Sequence, residues 1–140
     1  MCGGVSYKDN GKQIRVYFPV PMAALPVVMK SQDTTLYTWG RRREEKGRFP
    51  LGGWARHESI LNGVWDKYQP TPVKIAVDSF MEKDNQGVSH WFELESGQFI
   101  QGLVAHIGME SRVYVVTVEP EDKSIHDRWP RVVGQGATNS

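Results

Sequence analysis

A single cysteine, Cys2, is the whole thiol inventory of this 140-residue chain, so no intramolecular disulfide can form. A structural zinc site would have to draw on histidines and carboxylates. One lone thiol fits a reducing compartment. Long hydrophobic runs are missing as well: no stretch could cross a bilayer, and residues 1–11 carry neither the apolar segment of a signal peptide nor a myristoylation glycine. A cytoplasmic protein with no membrane partner is expected. Excess charge of either sign is also absent. Seventeen Lys and Arg face sixteen Asp and Glu, for a net charge of +1, so any nucleic-acid contact must come from a local basic patch. His57, His90 and His106 have no ligand-like spacing and read as structural histidines, and neither a metal nor a cofactor is called for.

What is present is ordinary globular material, 39% hydrophobic and 24% charged, enough for one core in one domain over residues 1–133. Residues 134–140 are small and polar and read as a flexible C-terminal tail. Between Gln13 and Pro21, Ile14, Val16 and Phe18 alternate with Arg15, Tyr17 and Pro19, the period of a half-buried strand. Pro26 to Met29 and Thr34 to Trp39 read as further strands around the turn at Ser31 to Asp33. From Ala55 to Tyr68 the apolar positions Ile60, Leu61, Val64, Trp65 and Tyr68 recur at helical spacing, predicting a helix that Gly63 weakens. Val73 to Phe80 and Val88 to Leu94 predict a hairpin across Asp84-Asn85-Gln86-Gly87. Two more strands follow over Gln98 to His106 and Arg112 to Glu119, so the chain is strand-rich.

Cys2 carries the most chemistry. Removal of Met1 would leave a thiol and a free α-amine on adjacent carbons. Their reference pKa values, about 8.5 and about 7.7–8.0, give usable amounts of both nucleophiles near neutrality. Such a residue can form an imine with an aldehyde and then close a five-membered thiazolidine. Read from position alone, Cys2 is also consistent with an incidental terminal residue, because reactivity needs a microenvironment that position does not supply. The basic stretch Arg41, Arg42, Arg43, Lys46 and Arg48, interrupted by Glu44 and Glu45, reads either as a solvated loop or, beside Trp39 and Trp54, as a grip for a single strand.

Met1-Cys2-Gly3-Gly4 resembles the M-C-G-R opening of the SOS-response-associated peptidase family, and Ile125-His126-Asp127-Arg128-Trp129-Pro130 resembles its I-H-D-R-M-P signature. Between them and in the same order, Trp39-Gly40 is similar to W-G, Ala55-Arg56-His57-Glu58-Ser59 to A-R-A-E-T, and Val77 to Glu82 to A-D-G-F-Y-E; Gln101-Gly102-Leu103 is similar to A-G-L. The resemblance implies an α+β, strand-rich fold, with a bifurcated, partly barrel-like β-sheet and flanking helices. It implies covalent capture of abasic sites in single-stranded DNA by a lyase-like protein with cysteine (auto)peptidase activity toward its own Met1. The catalytic residues it implies are Cys2, Glu82 and His126, and the DNA-binding residues are Trp39, Arg41, Arg42, Arg43, Trp54 and Arg56. Arg56 falls on the phosphate-binding arginine. Trp54 stands where the family has asparagine, and Gly4 where it has arginine. The implied partner is single-stranded DNA with abasic sites, with no obligate protein partner. Asp127 and Arg128 are expected to pair and hold the His126 loop.

Two other readings remain. Class II glutamine amidotransferases also open M-C-G with an N-terminal nucleophile, although the chain is short for that domain and they leave H-D-R-W-P unexplained. A degenerate single-strand binder would keep the fold and lose the crosslink.

Overall fold

The computed structural model describes residues 2–120 and 128–134. Its first strand was not foreseen, because Cys2-Gly3-Gly4 carries no β signal. β1 (Cys2–Asp9) runs into β2 (Lys12–Tyr17) through Asn10-Gly11, where φ is +52° and +79°, the left-handed pair that a tight hairpin turn requires. β3 (Ala24–Val28) and β4 (Thr34–Thr38) form the second hairpin.

The segment predicted as one helix over residues 55–68 divides into three. β5 (Trp54–Arg56) enters α1 (His57–Leu61), and after Gly63 a single 3-10 turn covers Asp66–Tyr68. Arg56 gives α1 no side-chain cap, and Gly63 adopts φ +82°, so the helix has neither a start signal nor an uninterrupted run. The helical spacing was still informative: Ile60, Trp65 and Tyr68 pack into one core cluster, but through turns as much as through helix.

β6 (Thr71–Ile75) and β7 (Ser79–Lys83) replace the single strand expected over residues 73–80. The chain changes sheets between them, its backbone held by Ala76 N–H to Pro26 O (2.9 Å) and Asp78 N–H to Ser6 O (2.8 Å). β8 (Ser89–Glu93) then pairs with β7 across the predicted turn. β9 (Gln98–Ile107), β10 (Glu110–Val118), β11 (Trp129–Pro130) and β12 (Val132–Gly134) complete the order. Gly134, assigned to the tail by composition, belongs to β12 and pairs with Gln98 of β9; residues 135–140 lie outside the described residues.

Two sheets result. The smaller runs β2-β1-β7-β8; the larger runs β11-β10-β9-β6-β3-β4, with β12 added to β9 and β5 to β10. The fold is therefore mostly β. Flanking helices are reduced, among the described residues, to α1 and the 3-10 turn, and the sheets do not close into a barrel. β10 is buried from Arg112 to Val118, which explains its unbroken apolar and β-branched sequence: a strand covered on both faces has no polar side to alternate.

Glycine makes one close approach of backbone to rings possible. Gly53 O accepts hydrogen bonds from Trp39 Nε1 at 2.8 Å and Val115 N–H at 2.9 Å. A Cβ on Gly53 would lie 2.6 Å from Trp39 Nε1 and 2.7 Å from the Phe18 ring. Gly53→Ala is therefore expected to cost about 1–3 kcal/mol through overpacking, read as a lower urea midpoint at unchanged slope; an unshifted midpoint would show that the two rings move aside freely.

Candidate functional site

Strand pairing brings Cys2 against a residue from the middle of the chain. In the β1–β7 ladder Cys2 lies opposite Glu82, and the register then slips so that Gly4 opposes Met81. Gly3 is the extra residue of this bulge, a device that re-aims a neighbouring side chain. Cys2 and Glu82 are both fully buried. The thiol donates to Gly4 O at 3.4 Å.

Burial sets the protonation of both groups. It raises the Cys2 thiol to about 12, with the Glu82 charge pushing in the same direction, so the sulfur is held as a neutral thiol at neutral pH. Burial also lifts the Glu82 carboxyl from its ordinary 4.5 to about 7. A carboxyl poised there can give a proton or take one, as general acid–base work demands.

Trp54 has a role that no local sequence signal could have shown. Its indole Nε1 donates to Cys2 O at 2.6 Å, across 52 positions of sequence. The ring is held by Phe18, 4.9 Å between centroids, and by Trp39, 6.3 Å. Trp54 thereby fixes the backbone of the residue beside the bulge.

The proposed DNA contacts separate into two groups. Trp39 and Arg42 are buried and used internally. Arg42 donates to Phe18 O at 2.7 Å, lies 4.4 Å over the Phe18 ring, and pairs with Glu45 at 3.4 Å. Glu45 also receives Arg112 at 3.1 Å, so the acidic interruption in the basic stretch is what folds the loop. Arg41 is half-buried, donating to Phe49 O at 2.6 Å and Glu45 O at 2.8 Å. Arg43 and Arg56 are exposed, and Trp54 is half-exposed. Trp39 and Arg42 thus have no surface to offer a strand.

His126 and Asp127 lie outside the described residues. The expected pairing of Arg128 with Asp127 therefore lies outside them too, but Arg128 is buried and has a partner that was not expected. Its guanidinium grips Glu58 through two bonds of 2.7 and 3.0 Å and also donates to Thr117 O at 2.7 Å. Two of the segments quoted above, Ala55 to Ser59 and Arg128 to Pro130, therefore meet on β10, where Thr117 pairs with both Arg56 and Pro130. Two of the three histidines read as structural have side-chain partners: His90 meets Asp84 at 2.8 Å, and His106 meets Ser111 at 2.8 Å.

No protein-family model, curated protein or solved structure matches this chain.

The two carboxyls give stability opposite pH dependences. Glu82 titrates at about 7 in the fold against 4.5 ordinarily; its contribution is complete below about 4.5 and is lost as pH rises through about 7. Glu58, lowered to about 2 by the Arg128 hydrogen bonds, stabilises above 4.5 and loses that contribution as pH falls through about 2. Half of its side chain is exposed, so solvent screening keeps this second effect small. Glu82→Gln should flatten the stability decline between pH 4.5 and 7, a change on the order of 1–3 kcal/mol, leaving the acid limb in place. Urea midpoints across that range provide the check, and an unaltered slope in the variant would dissociate Glu82 from the decline.

Proposed function

We propose that this protein captures abasic sites in single-stranded DNA covalently through Cys2, after Met1 has been removed. The observation that carries the reading is the pairing of Cys2 with Glu82 across β1 and β7, both sealed from solvent. The α-amine adds to the aldehyde carbon of the opened sugar, water leaves, and an imine remains. The thiol then adds across the C=N bond: sulfur bonds to carbon, its proton passes to nitrogen, and the thiazolidine closes with no change of oxidation state. A thiol held near 12 needs a base for this step, and a carboxyl near 7 beside it is suited to serve. His126, two positions before Arg128 in sequence, is the proposed partner that opens the sugar, and Arg56, with Arg43 and Trp54, is the proposed strand contact. The finer family architecture, with its bifurcated sheet, is part of the same proposal and is supported by the change of sheet between β6 and β7.

A second reading, a single-strand binder without chemistry, is favoured by the complete burial of Cys2. One experiment separates the two: the Met1-processed protein is incubated with an abasic single-stranded oligonucleotide and resolved on a denaturing gel with intact-mass detection. A heat-stable adduct is expected, absent in Cys2→Ser and formed at least about a hundred-fold more slowly in Glu82→Gln. Binding with no adduct supports the second reading, and a wild-type-like stable adduct from Cys2→Ser would eliminate the thiazolidine.

Arg56→Ala is expected to weaken binding of the undamaged strand and reduce its salt slope by about one. Titrations over a range of salt measure this, and an unchanged slope would return Arg56 to a merely structural role.

A further inference from the structure

The larger sheet has a second face. Val27, Ile75 and Ile100, aligned across β3, β6 and β9, are fully buried in the cluster that also holds Cys2. Their neighbours Val28, Lys74 and Gln101 point the other way, as the two-residue period of a strand requires. Along β12 the same alternation buries Val132 and turns Val133 outward beside Phe99. On this outer face lies a cavity of about 580 Å³, within the range of small-molecule sites. It stands on the opposite side of the sheet from Cys2.

Its lining has one charge sign. Lys30, Lys74 and Arg131 contribute three cations, and no carboxylate is among the described lining residues. None of the three has an ion-pair partner among the described residues. Arg131 is oriented by a hydrogen bond from Nη1 to Gln101 Oε1, while its Nε is buried without an acceptor among the described residues. A positioned guanidinium with spare donor capacity suits an oxyanion. Most of the remaining wall is apolar: Phe99 lies under Lys74, whose Nζ is 5.2 Å from the ring centroid, beside Val133.

We propose that this outer cavity binds a small organic anion with a flat apolar body, the anionic group meeting Lys30, Lys74 and Arg131 and the body lying on Phe99 and Val133. A phosphate ester and an aryl carboxylate share this chemistry. The site stands apart from Cys2 and does not rest on the covalent reading above.

Isothermal titration with deoxyadenosine monophosphate and with naphthoate distinguishes the two sources, with deoxyadenosine and naphthylmethanol as their neutral counterparts. Saturable binding of at least one anion is expected, about ten-fold or more tighter than its neutral counterpart. Binding of the nucleotide alone assigns a phosphate ester, and binding of naphthoate alone assigns a carboxylate. The double variant Lys30→Ala/Lys74→Ala removes two exposed side chains, so its melting temperature should hold while affinity falls about ten-fold or more. Arg131→Gln should weaken binding further. Failure of both anions to saturate, equal binding of a neutral counterpart, or unchanged affinity in the folded double variant would overturn the proposal.

Discussion

Everything distinctive in this molecule hangs on β10. Buried from Arg112 to Val118, it pairs antiparallel with β9 and β11 and parallel with β5, and Trp39 bridges Val113 beyond the end of β4. Interior backbone groups must find partners, and here four separated parts of the chain supply them. The parallel β5 places Trp54 at Val115 and Arg56 at Thr117; β11 places Trp129 at Val118. Once β10 is in place, the indole that holds the Cys2 carbonyl and the glutamate that holds Arg128 are positioned as a consequence.

Buried polar groups are accommodated in two different ways. Arg42, Glu45 and Arg112 satisfy one another and nearby carbonyls, the arrangement by which charge is tolerated away from water. Arg128 with Glu58 and Thr117 repeats the pattern. Cys2 and Glu82 differ, since desolvation dominates both and holds each nearer its neutral form. Paired charges hold loops; the desolvated thiol and carboxyl retain protons that chemistry could move.

Much of the framework could be read from local patterns, for reasons that belong to particular residues. Asp84 to Gly87 announced the β7–β8 turn, and the β-branched run from Arg112 to Glu119 announced a strand, though not its burial on both sides. β1 was illegible because its first residues are Cys2, Gly3 and Gly4, whose pairing comes from β2 and β7 and not from propensity. The break between β6 and β7 was hidden by apolar residues that continue through Val77 while the chain changes sheets. At the site, the chemistry of an N-terminal cysteine pointed to Cys2, whereas Glu82 was singled out only through resemblance to a family. Trp54 was noticed as an aromatic surface and as a departure from asparagine; its bond to Cys2 joins residues with no pattern between them. Arg42 and Glu45 show the converse case: a mixed-charge stretch that reads either as a solvated loop or as a strand grip has these two residues folded inward on each other.

The β1–β7 ladder also imposes an order in time. Cys2 is made 80 positions before its partner Glu82. At roughly 5–20 residues per second, it therefore waits about 4–16 s before the strand that will cover it has been made. During that interval a processing enzyme can reach it; afterwards the residue is interior. A step that must act at Cys2 is thus matched to synthesis, and the fold itself closes the opportunity.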